Sequence, residues 1–266
     1  MIPYAFEYHR ASSLVDAEAR LKESPDAQLI AGGQTLIAAM KMRLAQPSDL
    51  IDIAGLKELA FIRASGKTIS IGAATKHFEV AGSSEIGRTV SALAQLAGSI
   101  GDPAVRHMGT LGGSLANNDP AADYPAAVLA LNGTVKTRRR SIAADDFFTG
   151  MFSTLLEPGE IITEVSFPVP ERAGYAKFPN PASRYAMVGV FVAKFGSGVR
   201  VAVTGAAPCV FRAPEFETAL ARNFAPDAIK DGTIDPARLN SDIHGSAEYR
   251  ANLVGVMARQ AVATAR

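Results

Sequence analysis

The sequence predicts an α+β protein laid out in three stretches. Three observations carry that prediction. A strand, a glycine turn, a helix and a second strand are packed into residues 29–53. The chain reaches a proline-rich stop at Pro168-Val169-Pro170, after which its pattern changes. Two β-rich runs beyond the stop are joined by Gly196-Ser197-Gly198 and followed by helical sequence. We therefore expect a small βαβ unit over 1–54, a larger mixed α/β part over 55–170, and an antiparallel sheet with helices over 171–266.

The elements follow in order. Ser13 and Asp16 form S-x-x-D, a helix-start signature, and Leu14, Ala17 and Leu21 then recur at helical spacing until Ser24-Pro25. Leu29-Ile30-Ala31 is a short apolar run suited to a buried strand. Leu36, Met40 and Leu44 are spaced for one helix face that Pro47 closes, and Leu50 to Ile53 reads as the next strand. This is a compact βαβ unit, whose crossover should be right-handed. Ile69 to Ala73 alternates as a strand, and Ser91 to Ile100 is helical in pattern. A polar, glycine-rich stretch from Asp102 to Asp123 precedes a helix at about residues 121–131. Val135 and Ile142 flank the tripeptide Arg138-Arg139-Arg140, read as an exposed hairpin tip, and Ile161 to Phe167 is a further strand. Past the stop, Ala186–Ala193 and Val199–Thr204 form a hairpin, while 215–222 and 249–265 are helical.

Composition removes several function classes. A single cysteine excludes an internal disulfide, a four-thiolate iron–sulfur cluster and a CxxC zinc site. Net charge is +1, which leaves no broad footprint for nucleic acid. The start, MIPYAFEYHR, lacks the charged-then-apolar pattern of a secretory leader, and the longest apolar stretch, 186–193, falls short of the roughly 20 residues of a membrane span. A cytoplasmic location is the resulting expectation.

Two glycine-rich turns are the candidate binding motifs. The first is Ala31-Gly32-Gly33-Gln34-Thr35, at a strand-to-helix junction, where glycine lets backbone N–H groups approach a phosphate. The second is Thr110-Leu111-Gly112-Gly113-Ser114, a glycine pair between hydroxyls. Each alone also reads as a tight turn needing positive φ. Both together favour a dinucleotide. Asp119 and Asp123 stand either as helix caps or as a carboxylate for a ribose hydroxyl. Other patterns fall away. Gly66-Lys67-Thr68 lacks the first P-loop glycine, no G-x-G-x-x-G occurs, and Gly112 to Ala116 misses the last glycine of a nucleophile elbow. The histidines form no short metal spacing, and Cys209 reads as a small buried hydrophobe.

Taken in this order and separation, these motifs resemble the FAD-binding medium subunits of the molybdenum hydroxylases, the family of carbon monoxide dehydrogenase and of bacterial aldehyde and xanthine dehydrogenases. The resemblance runs from Phe6-Glu7-Tyr8-His9-Arg10 through AGGQTL, MKMRLAQPSDLIDI, IGAAT, GTLGGSLANNDPAADYPA and EPGEIITEVSFPVP. It continues through Tyr175-Ala176-Lys177 and Ser183-Arg184-Tyr185 to Tyr249-Arg250. It implies that 1–54 and 55–170 are the two parts of one FAD-binding domain. It further implies that FAD pyrophosphate lies against the backbone of both turns and that Asp123 serves the ribose or adenine side. Thr75 would lie near the flavin or its ribityl chain. Ile162 and Lys177 match positions that meet the isoalloxazine ring, and Tyr185 matches an aromatic near its face. Several family members have His-Ser where this chain has Gln34-Thr35, which weakens an assignment to carbon monoxide dehydrogenase itself. The cysteine-bearing insertion of the hydroxybenzoyl-CoA reductases is missing.

By the same resemblance the chain is an oxidoreductase subunit with no catalytic acid or base and no metal ligand of its own. A large subunit would hold the molybdenum cofactor and a small one two [2Fe–2S] clusters, in a dimer of heterotrimers. This chain's FAD would pass their electrons to an external acceptor. The competing expectation is a non-redox nucleotide-binding or assembly protein on the same fold.

Overall fold

A computed structural model describes residues 2–266 and arranges them around three sheets. In the first, β1 (Glu7–Arg10) is followed by helix α1 (Leu14–Glu23), β2 (Gln28–Ile30), α2 (Leu36–Lys41) and β3 (Asp49–Asp52). The strand order is β1-β3-β2, with both pairings parallel. Ser13 caps α1 by accepting from the Asp16 amide, as its S-x-x-D pattern predicts. The crossover helix α2 is shorter than its apolar spacing suggests. Arg43 adopts positive φ (61°), and the amides of Arg43 and Leu44 turn back to the carbonyls of Met40 and Ala39. That is a Schellman stop with arginine in the place usually held by glycine. Leu44 is consequently thrown off the helix face and left 77% exposed.

The second sheet is larger and antiparallel. β4 (Ile62–Ser65) and β5 (Thr68–Gly72) form a hairpin, so Gly66-Lys67 is a turn tip. Four short helices and a fifth follow: α3 (His77–Gly82), α4 (Ser84–Thr89), α5 (Ser91–Gly98), α6 (Pro103–Met108) and α7 (Leu111–Asn117). After α8 (Tyr124–Ala130) come β6 (Thr134–Thr137), β7 (Ser141–Ala143), α9 (Ala144–Phe147), the two-stranded β8 (Phe148–Gly150) and β9 (Ser153–Thr154), and β10 (Ile162–Pro168). The strand order is β4-β5-β10-β6-β7. The glycine-rich stretch from Asp102 is thus largely helical. Asp102 caps α6, with Pro103 at its first position, and Thr110 caps α7.

The arginine tripeptide is the exposed tip of the β6–β7 hairpin, as expected, and its side chains are anchored. Arg140 reaches the fully buried Glu160 carboxylate, Arg139 the Gly159 carbonyl, and Arg138 lies 3.6 Å from Glu18 on α1.

The third sheet is antiparallel with order β11-β12-β13-β14, from β11 (Arg172–Pro179), β12 (Ala186–Phe195), β13 (Gly198–Thr204) and β14 (Phe211–Arg212). Its alternating residues split between two cores. Tyr175, Phe191 and Ala202 pack with the second sheet and its helices. Val190, Val192, Val201 and Val203 pack with α10 (Pro214–Arg222) and α11 (Ala247–Thr264). Along α11 the buried stripe is Leu253, Val254, Met257, Ala258, Ala261 and Val262, and Gln260 faces outward. Among the described residues no helix is long and apolar enough to cross a membrane.

Candidate functional site

The two glycine turns meet across one cleft of about 670 Å³, within the range of small-molecule sites. The first turn connects β2 to α2. Only Gly33 there needs its freedom for a positive φ, +68°. Gly32 is required by proximity: a Cβ on it would lie 2.4 Å from the Met108 carbonyl oxygen and 2.7 Å from Gly109 Cα. The first sheet is thereby pressed against the α6–α7 junction. The amides of Gly32, Gly33, Gln34 and Thr35 donate to no acceptor among the described residues. They form a row of unpaired donors on the cleft wall, suited to an anion.

The second turn works differently from the expectation that its backbone cradles phosphate. Leu111 N–H donates to the Thr75 carbonyl at 3.1 Å and Gly112 N–H to the Ala73 carbonyl at 2.8 Å. Gly113 N–H donates to Thr110 Oγ1 at 3.2 Å. These donors are used inside the chain, because the turn is the capped start of α7. Its glycines instead permit contact. A Cβ on Gly112 would sit 2.6 Å from Ala73 Cβ, and one on Gly113 would sit 2.9 Å from Thr110 Oγ1. This turn lines the cleft with Thr110, Gly112, Gly113 and Ser114.

Of the residues expected in the site, Ala31 to Thr35, Thr110, Gly112 to Ser114, Asp123, Ile162 and Tyr185 all line the cleft. Thr75, Leu111 and Lys177 do not. Thr75 is 2% exposed, and its hydroxyl pairs with both backbone groups of Phe61. Leu111 is a core residue. Lys177 lines a neighbouring pocket and donates to Asp123 Oδ1 at 3.0 Å and to the Ser99 carbonyl at 2.8 Å. Two of its three ammonium donors are thereby used inside the chain.

Asp123 does not cap α8. It is buried, and the Tyr175 hydroxyl donates to its Oδ1 at 2.5 Å. Burial raises its carboxyl above the usual range, against the pull of Lys177 and the Tyr175 hydroxyl. Burial, then the Asp123 charge, raises the Tyr175 phenol well up, so it remains a donor. Tyr185 is raised in the same direction, by burial first and then by Asp119 and Asp123. Asp119 closes a local turn by accepting from the Ala121 amide.

Sequence reasoning missed His77. It stands at the start of α3, lines the cleft, and is 5% exposed with Nδ1 lacking a partner. Burial, helped by Arg106, lowers it to about 4, so it is neutral imidazole. The charged side chains on the cleft wall are Asp119, Asp123, Glu160 and Arg184. The wall is therefore not cationic overall, and an anionic ligand must rely on amides. The residues present fit a dinucleotide: a row of free amides, a buried carboxyl, and the apolar and aromatic side chains of Ile162 and Tyr185 all line one cleft.

Residues 4–170 match the family described as the FAD binding domain in molybdopterin dehydrogenase. The nicotine 6-hydroxylase medium subunit of Paenarthrobacter nicotinovorans is 36% identical over 98% of this chain and 97% of its own. The carbon monoxide dehydrogenase medium chain of Afipia carboxidovorans is 35% identical over 100% and 98%. Among solved structures, carbon monoxide dehydrogenase from Hydrogenophaga pseudoflava superposes with a TM-score of 0.90 at 36% identity, covering 99% of this chain and 98% of that one. Quinoline 2-oxidoreductase from Pseudomonas putida 86 gives 0.89 at 29% identity, covering 99% and 97%.

Proposed function

The chain belongs to the FAD-binding family of the molybdopterin dehydrogenases, as an oxidoreductase medium subunit, and from that premise we propose how its cleft serves the flavin. The amides of Gly32 to Thr35 hold the pyrophosphate, and the wall at Thr110 and Gly112 to Ser114 closes over it. Asp123 serves the ribose or adenine side. Ile162 and Tyr185 bracket the isoalloxazine ring. The single observation supporting this placement is the row of four free amides on the wall of a cleft that Asp123, Ile162 and Tyr185 also line.

When bound, FAD accepts electrons singly and releases them in pairs, chemistry that no side chain supplies. The chain's own part is to bind, orient and shield. Residues 1–54 and 55–170 act as the two halves of the binding domain, with residues 171–266 as a C-terminal α+β domain. Electrons come from two [2Fe–2S] clusters of a small subunit, themselves fed by the molybdenum cofactor of a large subunit, and leave to an external acceptor. The assembly is a dimer of heterotrimers in the cytoplasm. The relatives' own names, medium subunit and medium chain, support a multi-subunit setting. The lone cysteine supports placing the clusters elsewhere.

Purification of the chain tests the reading. A yellow protein releasing FAD on denaturation, about one per chain, and bleached by dithionite is the expected result. A colourless protein that binds a nucleotide without redox turnover would instead favour an assembly role.

A further inference from the structure

We infer that the C-terminal sheet, outside the family match at residues 4–170, builds the acid-bearing floor of the FAD cleft, with Tyr175 and Thr204 as positioning residues for the segment Asp119–Asp123. The inference rests on the reading that this cleft takes FAD.

The segment joins α7 to α8, and Asp119, Ala122 and Asp123 face the cleft. Within itself it makes only two backbone-directed bonds, from the amides of Ala121 and Ala122 to the carboxylate and carbonyl of Asp119. The Asp123 carbonyl accepts from the Ala126 amide of α8, and the remaining acceptors are met from the third sheet and its edge. The Thr204 hydroxyl donates to the Ala122 carbonyl at 2.6 Å and lies 3.1 Å from that of Pro120. Gly205 N–H donates to the Pro120 carbonyl at 2.8 Å. The Tyr175 hydroxyl and Lys177 ammonium both meet Asp123 Oδ1. Thr204, Asp123 and Tyr175 are all buried, so water does not replace these donors.

Gly189 on β12 shows how the sheet makes room. It pairs with Lys177 on one side and Thr204 on the other. A Cβ there would lie 2.6 Å from the Tyr175 hydroxyl oxygen and 2.9 Å from Thr204 Cγ2. The missing side chain lets the Tyr175 hydroxyl reach Asp123. The same three strands thus supply both the donors and the gap they pass through. The opposite face of the sheet carries Leu220 of α10, which stabilises the sheet without touching the segment.

The test is FAD titration of the full-length chain after the flavin has been stripped, with melting temperature as the companion measurement. Thr204→Val and Tyr175→Phe should each raise the FAD dissociation constant about tenfold, because a segment no longer held in the free chain must be re-ordered when FAD binds. Thr204→Ser keeps the hydroxyl and should stay within about twofold of wild type. Leu220→Ala should lower the melting temperature while leaving FAD affinity within about twofold. Tyr175→Phe removes one oxygen only and should keep the fold. Wild-type affinity in both Thr204→Val and Tyr175→Phe overturns the inference. So does a Leu220→Ala variant that loses FAD as badly as they do, since stability alone would then explain the effect. A wild-type chain that takes up no FAD overturns the FAD reading of the cleft, and this inference with it.

Discussion

Gly32 and His77 place opposite demands on one corner of the cleft, one by having no side chain and the other by having a buried polar one. A methyl group at position 32 would meet backbone, the Met108 carbonyl and Gly109 Cα, and backbone cannot swing aside as a flexible side chain can. Gly32→Ala should therefore push the first sheet off the α6–α7 junction, costing about 1–3 kcal/mol in unfolding free energy and most of the bound flavin. Denaturant melts and the flavin-to-protein absorbance ratio check both. At His77 the folded chain resists protonation down to about 4, while the unfolded imidazole titrates near 6.5. Below 6.5 the unfolded state thus binds a proton that the folded state refuses, and stability falls as pH drops through that window, by up to ~3 kcal/mol. The acid-titrating Glu160 carboxyl, held at about 2 chiefly by Arg140, loses its contribution only below the ordinary carboxylate range. Melting temperature measured between pH 6.5 and 4.5 should slope down in wild type and stay flatter in His77→Gln. The glycine was legible in the sequence as Gly-Gly before a helix. The histidine was not, because a lone His carries no periodic or spacing signal and its burial is decided by packing against Tyr124 and Gly109.

The elements divide by whether their signal is local. The S-x-x-D start of α1, the βαβ alternation of β2-α2-β3 and the β12–β13 hairpin were readable because capping and period-2 or period-3.6 burial are written in neighbouring residues. α2 came out shorter than its spacing because Arg43 takes the left-handed conformation, an outcome that arginine does not advertise. Helix α7 was hidden by Gly112 and Gly113, which serve close contact rather than a positive-φ turn. The arginine tripeptide after β6 is the exposed hairpin tip its sequence predicts, and beyond that it clamps the strip from Leu155 to Glu160 that leads into the cleft wall. Arg140 donates to both oxygens of Glu160 and to the Leu155 carbonyl, while the Thr137 hydroxyl and Glu157 amide complete the carboxylate's partners. Removing the arginine leaves a buried carboxylate without its countercharge. Arg140→Ala should lower stability, by less than the loss of a fully buried pair because Arg140 itself is half-exposed. Chemical denaturation reads that cost directly. Arg140→Lys, which cannot form the two-point contact, should recover only part of it.

At the scale of the molecule, three sheets meet so that residues far apart in sequence finish one site, and that assembly lay beyond local reading. Position 175 is bonded to position 123, and position 204 to position 122, through contacts no single stretch encodes. Whole-chain resemblance reached the family and the fold, yet it pointed Lys177 at a ring, where the structure gives its ammonium to Asp123 and Ser99. The third sheet is itself held by α11, which approaches the backbone closely at Gly174 on β11. A Cβ there would fall 1.9 Å from the Ala261 carbonyl oxygen and 3.2 Å from Ala265 Cα. Ala173 and Arg266 exchange two backbone hydrogen bonds just beside it, tying the end of the chain to the strand. Gly174→Ala must therefore lift α11 from β11, with a stability loss of about 2–4 kcal/mol from the displaced packing. Because Tyr175 is the next residue on that strand, the same displacement should draw its hydroxyl from Asp123 and weaken FAD binding. Leu220→Ala disturbs the same sheet from α10 and leaves Tyr175 in place. Compared at matched loss of melting temperature, Gly174→Ala should release FAD faster in a stopped-flow chase than Leu220→Ala. Equal release rates would mean that α11 supports the sheet without reaching the site.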